Sequence, residues 1–288
     1  MRWSLLEIER QTEIVIWQGE EAFLLRDLGA EYGARDVLEA SPALRDRLST
    51  PTWHQGLRAV DLKTARYLPP LLGQKILCAG LNYRDHILET HSETPTYPNF
   101  FIRFPDSFVG HEEALEIPPV SSAFDYEVEL AAVLGRPLFG SISRDAALAA
   151  VGGYTLCNDG SFRDLQFRAS QWTLGKNVPR SGALGPWVLS AHELPLGARG
   201  LQLQTWVGTE CLQNGNSADL LFDVADLLIA LAAVLPLGPG DVLATGTPAG
   251  VGFTRQPPRF LQDGEVCELR IEGIGSLRNP VRKVAHSK

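Results

Sequence analysis

Two glutamates separated by one residue stand at the start of a stretch that is typical of a β-strand. Glu127 and Glu129 precede the apolar run 130–134, and side chains two residues apart in a strand point to the same face. Two carboxylates on one face repel each other unless a positive charge lies between them, and a hard divalent cation suits oxygen ligands. The alternative is a solvated strand edge on which both glutamates face water.

A third carboxylate follows the strand-like segment 153–157. Asp159 lies in Cys157-Asn158-Asp159-Gly160-Ser161, and loops at strand ends commonly deliver ligands. Read alone, Asp159 is typical of an Asx turn or a helix N-cap. Together with the two glutamates it predicts a site for Mg²⁺ or Mn²⁺, with Ca²⁺ as a further candidate.

A histidine and a glutamate three residues apart form the second signal. His86 and Glu89 follow the strand-like segment 75–79, in Gly80-Leu81-Asn82-Tyr83-Arg84-Asp85-His86-Ile87-Leu88-Glu89. If this stretch is helical, the two side chains share a face and the carboxylate can orient the imidazole. Such a dyad can activate a water. The alternative is an ordinary surface pair.

Two further segments could bind an anionic substrate. Lys176, in Thr173-Leu174-Gly175-Lys176-Asn177, could hold a carboxylate or an enolate oxygen, although most lone lysines are solvated. The run 244–252 is rich in glycine, and the N–H of Gly246 and the hydroxyl of Thr247 could receive a carboxylate. The alternative for this run is a plain tight turn between strands. It lacks the Gly-Lys-Ser/Thr ending of a phosphate loop.

A mostly β fold must position these residues. Short β-branched or aromatic runs alternate with Gly, Pro and Asp over most of the chain, which is typical of strands and turns. Helical periodicity appears at 144–151, 161–169 and 220–235. We therefore expect an α+β fold, mostly β, with a small N-terminal α/β module over residues 1–70 and a catalytic domain over residues 71–288.

Charge and composition exclude several classes of partner. The formal net charge is −8, whereas nucleic acid or an anionic membrane surface would demand a clustered basic face. The longest apolar run, 227–237, is shorter than the roughly 20 residues that span a bilayer. Residues 1–10 lack the apolar stretch of a secretory signal, so we expect a cytoplasmic protein. The four cysteines lie far apart and predict neither a zinc site nor a disulfide.

Taken in order, these segments resemble the fumarylacetoacetate hydrolase family across roughly residues 70 to 285. The stretch 80–83 with His86 and Glu89 is similar to the family's lid motif, in which the histidine and glutamate activate water. The resemblance implies that the metal is held by three carboxylates: Glu127, Glu129 and Asp159. It also implies a fold of rolled mixed β-sheets flanked by short helices, usually paired in a homodimer.

The same resemblance implies how a substrate is held. Lys176 matches the lysine that binds the oxo-acid end, and Thr247 matches the threonine that holds a substrate carboxylate. Arg163 and Gln166 match positions that contact the substrate or support the metal shell. Arg103 stands where many members carry a lysine, and its forked guanidinium could grip a substrate carboxylate differently. Pro179 and Arg180 also depart from the common pattern, so the substrate is the open question.

The leading hypothesis is hydrolytic C–C cleavage of a 2,4-dioxo acid of the acylpyruvate or fumarylpyruvate type. The metal would chelate the 2-oxo carboxylate, His86 would deprotonate water, and Lys176 would stabilise the developing enolate. Within the family, the alternatives are decarboxylation of oxaloacetate or isomerisation of a related oxo acid, neither of which needs a hydrolytic water. From a different class, the chain could be a non-catalytic protein that binds oxo acids.

Overall fold

The computed structural model describes residues 1–73 and 75–285. In these ranges the strands are β1 (Arg2–Ile8), β2 (Gln11–Gln18), β3 (Glu21–Leu24), β4 (Arg66–Leu68), β5 (Ile76–Gly80), β6 (Asn99–Arg103), β7 (Phe108–Val109), β8 (Leu115–Ile117), β9 (Phe124–Asp125), β10 (Val128–Leu134), β11 (Val151–Asn158), β12 (Ser161–Phe162), β13 (Gly182–Ser190), β14 (Gln202–Val207), β15 (Glu210–Asn216), β16 (Val242–Ala244), β17 (Val266–Ile271) and β18 (Gly275–Lys283). The α-helices of the same ranges are α1 (Ala34–Glu39), α2 (Pro42–Leu48), α3 (Arg84–Glu89), α4 (Arg144–Ala149), α5 (Arg163–Gln166), α6 (Thr173–Lys176) and α7 (Val224–Ala232).

Two mixed sheets dominate the described chain. The larger has eleven strands there, in the order β3-β2-β1-β13-β11-β10-β16-β5-β6, with β4 beside β1 and β7 beside β13. The smaller has the order β15-β14-β17-β18-β8. The centre of the larger sheet is the antiparallel pair β10 and β11, in which Glu129 lies opposite Cys157. The expected α+β, mostly β fold with mixed sheets is confirmed.

Strand β10 is buried along its whole length because both of its faces are covered. Leu130 packs in one hydrophobic core with Leu203 of the smaller sheet. Ala131 and Val133 point to the opposite face, where they pack in a second core with Trp3 of β1. The odd-numbered positions of β10 therefore face the side of the sheet on which Val37 of α1 and Leu44 of α2 also pack.

This alternation places the predicted ligands. Glu129 shares the parity of Ala131, and Glu127 continues the same face just before β10 begins. On β11, Cys157 belongs to the same core as Ala131, and Asp159 lies two residues further on. The three carboxylates are thus carried to one end of one sheet face by two neighbouring strands.

The first 70 residues contribute strands to the larger sheet. β1 pairs antiparallel with β13, and β2, β3 and β4 extend the sheet from it. Helices α1 and α2 are separate, because Ala40 adopts a left-handed backbone with φ of 46° and Pro42 begins α2. The boundary at residue 70 stays a prediction.

The other predicted helices form, but they are shorter than expected. The segment 161–169 begins as β12, because Ser161 pairs with Asp125 of β9, and only Arg163–Gln166 is helical. The segment 220–235 contains α7, which begins after a capping box between Asp223 and Asp226. No described helix is both long enough and apolar enough to cross a membrane.

Candidate active site

Three buried carboxylates converge at the end of β10 and β11. Glu127, Glu129 and Asp159 each offer an oxygen, and these oxygens all lie within 4.8 Å of one another. Their exposed fractions are 4%, 1% and 0%. The structure therefore brings together the three acidic residues on which the predicted metal site depends.

Cationic side chains surround two of the three carboxylates. Lys176 Nζ donates to Glu127 Oε2 at 2.7 Å and to Asp159 Oδ2 at 2.5 Å. Arg163 Nη2 lies 2.6 Å from Glu127 Oε1, and Arg103 Nη1 donates to Asp159 Oδ1 at 2.7 Å. Glu129 has a different partner, because its Oε2 accepts from the backbone N–H of Gly246 at 2.9 Å.

The carboxylates differ in pKa because they differ in partners. Burial would raise the pKa of Glu127, but the neighbouring Lys176 and Arg163 outweigh it and lower that pKa. Burial raises the pKa of Glu129 well above the usual range, and the negative charges of Asp159 and Glu127 add to the effect. Burial also raises the pKa of Asp159, despite its contact with Lys176. Glu129 is therefore the carboxylate that holds its proton most strongly.

The donor set fits a hard divalent cation. Carboxylate oxygens are the ligands that Mg²⁺ and Mn²⁺ prefer, and a cation near Glu129 would offset the burial and the repulsion that raise its pKa. The local charges agree with this fit, since the cluster contains more carboxylates (Asp125, Glu127, Glu129 and Asp159) than cationic side chains (Arg103, Arg163 and Lys176). A bound divalent cation would make the site positive overall, which suits an anionic ligand.

Metal affinity is expected to rise with pH. A protonated Glu129 cannot act as a ligand, and its raised pKa means that the proton competes with the metal at higher pH than for an ordinary carboxylate. The increase in Tm caused by saturating Mg²⁺ should therefore be larger at about pH 8 than at about pH 6. Differential scanning fluorimetry with EDTA as the metal-free reference measures it. An equal increase at both pH values would contradict this assignment of Glu129.

The predicted dyad is formed on helix α3. His86 Nδ1 lies 3.2 Å from Glu89 Oε2, and His86 is 7% exposed. Glu89 Oε1 accepts from the backbone N–H of Gly250 and from the hydroxyl of Thr254, each at 2.9 Å. Burial would raise the pKa of Glu89, but the hydrogen bonds from His86, Gly250 and Thr254 outweigh it and lower that pKa. Glu89 is thus an ionised acceptor that fixes the imidazole.

Asn82 links the loop before α3 to neighbouring segments through side-chain hydrogen bonds. Its Nδ2 donates to the carbonyl oxygens of Phe222 and Thr245, and its Oδ1 accepts from the N–H of Phe222. Leu81, just before it, has a positive φ of 54°. These bonds hold the residues just before α3, the helix that carries His86 and Glu89, beside the glycine-rich turn that follows β16.

A cavity of about 190 Å³ connects the dyad to the carboxylates. His86, Lys176, Arg163, Gln166 and Thr247 line it together with the three acids. The aromatic part of its wall consists of Phe101, Phe167, Trp172 and Phe253. Sequence reasoning missed these aromatic residues, because they lie in segments without a recognisable pattern and meet only through the tertiary fold.

The aromatic wall depends on a glycine. Phe101 and Trp172 meet edge to face with ring centroids 5.4 Å apart. A Cβ on Gly80 would lie 2.3 Å from a ring carbon of Trp172, so only a glycine at the end of β5 admits the indole in this position.

Three residues that were predicted to contact the substrate instead form hydrogen bonds or ion pairs with other groups of the protein. Arg103 is fully buried behind Asp159, where it also bonds Gly160 and Ser181, and it does not line the cavity. The N–H of Gly246 is used by Glu129. The hydroxyl of Thr247 donates to Val128 O at 3.0 Å and accepts from Gln213 Nε2 at 2.8 Å, although Thr247 still lines the cavity.

Asp125 is a further residue that the sequence interpretation left without a role. Its Oδ2 accepts from Arg163 Nε at 2.8 Å, and its oxygens also accept from the N–H groups of Gly252 and Phe253. Asp125 thereby fixes the arginine that contacts Glu127. Asp125 lies two residues before Glu127, which in turn lies two residues before Glu129. This regular spacing could have identified Asp125 from the sequence.

The family model described as "Fumarylacetoacetate (FAA) hydrolase C-terminal" matches residues 75–282. The chain belongs to the fumarylacetoacetate hydrolase family. This match contains all the carboxylates, the dyad and the lysine described above.

Proteins that are named for different activities are similar to this chain. "Oxaloacetate tautomerase YisK" of Bacillus subtilis is 37% identical over 216 residues, which cover 74% of this chain and 71% of that protein. A fumarylacetoacetate hydrolase from Exiguobacterium antarcticum has a TM-score of 0.83 and 29% identity, covering 99% of this chain and 100% of its own. A 5-carboxymethyl-2-hydroxymuconate delta-isomerase from Mycobacterium smegmatis has a TM-score of 0.77 and 27% identity, with the same coverage.

Proposed function

We propose that this family member interconverts the enol and keto forms of a small 2-oxo acid, with oxaloacetate as the first candidate substrate. The observation that carries the proposal is the position of His86, which contacts Glu89 and lines the same cavity as the carboxylate cluster. The similarity to the oxaloacetate tautomerase of Bacillus subtilis supports the choice of reaction.

The dyad supplies the base. Because the ionised Glu89 can only accept, His86 Nδ1 must donate to it, and Nε2 is then the nitrogen with a free lone pair. In the direction from keto to enol, Nε2 takes a proton from C3 of the substrate, and the C–H electron pair becomes the C2–C3 double bond. The electron pair of the C2–O2 π bond moves onto O2, which takes a proton from solvent, and the His86 imidazolium releases its proton to solvent. In the reverse direction the imidazolium returns the proton to C3.

The residues that would hold the cation are Glu127, Glu129 and Asp159, and we propose Mg²⁺ or Mn²⁺. When bound, the cation supplies Lewis acidity toward the oxo-acid oxygens. Lys176 adds a buried positive charge beside Glu127 and Asp159, where it stabilises negative charge developing on O2. The aromatic wall forms the apolar side of the cavity.

Hydrolytic C–C cleavage of a 2,4-dioxo acid, the reaction favoured by the sequence, is the second candidate. Thr90 and Ser92 line the cavity near His86 with their hydroxyl oxygens 2.9 Å apart. This polar corner offers the two partners that a water next to His86 would need. The similarity to the Exiguobacterium antarcticum hydrolase also supports this candidate.

A product panel separates the candidates. The purified protein is given oxaloacetate or an acylpyruvate with Mg²⁺, Mn²⁺ or EDTA, and enol absorbance, pyruvate and released CO₂ are followed together. We expect metal-dependent loss of the oxaloacetate enol without pyruvate. Pyruvate plus a carboxylic acid from the acylpyruvate alone would overturn the proposal in favour of hydrolysis, and CO₂ would indicate decarboxylation. Tight binding without turnover would indicate a binding protein.

The homodimer implied by the family resemblance and the cytoplasmic location expected from residues 1–10 stay predictions. The oligomeric state can be read from size-exclusion chromatography with light scattering on the same preparation.

A further inference from the structure

One short segment contacts both halves of the active site. From Ala249 to Thr254 the chain passes beside helix α3, where Gly250 N and Thr254 Oγ1 both donate to Oε1 of Glu89 at 2.9 Å. His86 uses the other oxygen, Oε2, at 3.2 Å. Both oxygens of this carboxylate are therefore fixed, one by the segment and one by the imidazole.

The same segment is anchored to the carboxylate cluster. Gly252 N and Phe253 N donate to Asp125 at 2.7 Å and 3.0 Å, and Asp125 in turn accepts from Arg163. Arg163 contacts Glu127 at 2.6 Å. A continuous set of hydrogen bonds and ion pairs thus runs from the dyad to the proposed metal ligands through this segment.

Thr254 is the only side chain of the segment that bonds Glu89 among the described contacts. Its hydroxyl has one hydrogen and two acceptors within 2.9 Å, Glu89 Oε1 and Val251 O. The bond to a carboxylate is charge-assisted and stronger than a bond to a neutral carbonyl, so Glu89 is the favoured acceptor. Thr254 is only partly buried and does not line the cavity. It can therefore affect a bound substrate only through Glu89 and His86.

We propose that Thr254 is a positioning residue for the proton-transfer step: it fixes Glu89, which fixes the ring of His86. This inference rests on the proposed function, because it assigns the dyad to chemistry. Thr254→Val keeps the shape of the side chain and removes the hydroxyl. We expect kcat to fall about tenfold, the effect of one lost charge-assisted hydrogen bond, with KM and metal affinity unchanged. Thr254→Ser keeps the hydroxyl and should retain kcat within about twofold of the wild type.

A purely structural role must be distinguished, since the bond to Val251 O could also hold the turn 252–254. A double-mutant cycle does this. If Thr254 acts through Glu89, Thr254→Val should add no loss of kcat to a Glu89→Ala protein. If it only holds the turn, the two losses should multiply and KM should change.

The closing experiment adds a readout that does not need turnover. Proteins with ¹⁵N-labelled histidine are compared by NMR, and the His86 ring signals are assigned by their loss in His86→Gln. We expect the Nδ1 proton signal to shift or broaden in Thr254→Val and to keep its position in Thr254→Ser. Identical His86 signals in the two variants would overturn the role of Thr254 even if no oxo acid is turned over. A wild type inactive on the whole panel would instead contradict the proposed function.

Discussion

Glu89→Gln is expected to lower kcat by about 10²–10⁴-fold, which is the usual contribution of a correctly protonated general base to the rate. Two donors, Gly250 N and Thr254 Oγ1, face Oε1 of Glu89, so the amide oxygen of glutamine should take that place. Its NH₂ group would then face His86 Nδ1, which must become an acceptor. Nε2 would carry the hydrogen, and the base would be lost although the ring has not moved.

Steady-state kinetics with the preferred oxo acid measures this effect. His86→Gln is the matched comparison, because it removes the imidazole itself and should lose a similar factor. The metal-induced Tm increase should be the same in both variants as in the wild type, since the dyad is not part of the carboxylate cluster. A Glu89→Gln enzyme with wild-type kcat would show that the tautomer of His86 does not matter, and the proposed base would have to be abandoned.

The sequence predicted the residues that local patterns specify. The apolar run that becomes β10 predicts a strand. Because side chains alternate between the two faces of a strand, this strand puts Glu127 and Glu129 on one face. The spacing of His86 and Glu89 likewise suffices to bring them together on α3. In these cases the relevant contact lies within a few residues along the chain, so periodicity is enough.

The sequence could not predict contacts that depend on distant pairing. The predicted helix over 161–169 is too long because Ser161 pairs with Asp125, a partner that helical periodicity does not reveal. Arg103 was expected at the substrate, yet the pairing of β6 with β5 carries it behind Asp159. The N–H of Gly246 was expected to bind a substrate carboxylate, but it donates to Glu129, which comes from a strand more than a hundred residues earlier.

Buried charge explains why the three carboxylates are not equivalent. Glu127 is paired with Lys176 and Arg163, so its ionised form is stabilised by the protein itself. In the described part of the chain, Glu129 accepts a hydrogen bond only from the N–H of Gly246, and burial favours its protonated form in the absence of a cation. Substitutions that remove one negative charge should therefore lower the stability of the metal-free protein at Glu127 and leave it unchanged at Glu129.

Glu129→Gln is expected to lower metal affinity by more than about 100-fold, since even the loss of an outer-shell partner costs up to that factor, and to abolish metal-dependent turnover. The metal-free protein should keep its Tm, because glutamine resembles the protonated glutamate that burial already favours. Glu127→Gln is the matched control: it leaves Lys176 and Arg163 facing a neutral group, and breaking such a buried pair costs about 3–5 kcal/mol. Thermal unfolding in EDTA and titration calorimetry with Mn²⁺ measure the two effects. If Glu129→Gln unfolded earlier in EDTA and still bound Mn²⁺ normally, Glu129 would be a structural ion-pair partner and the cation would have to lie elsewhere.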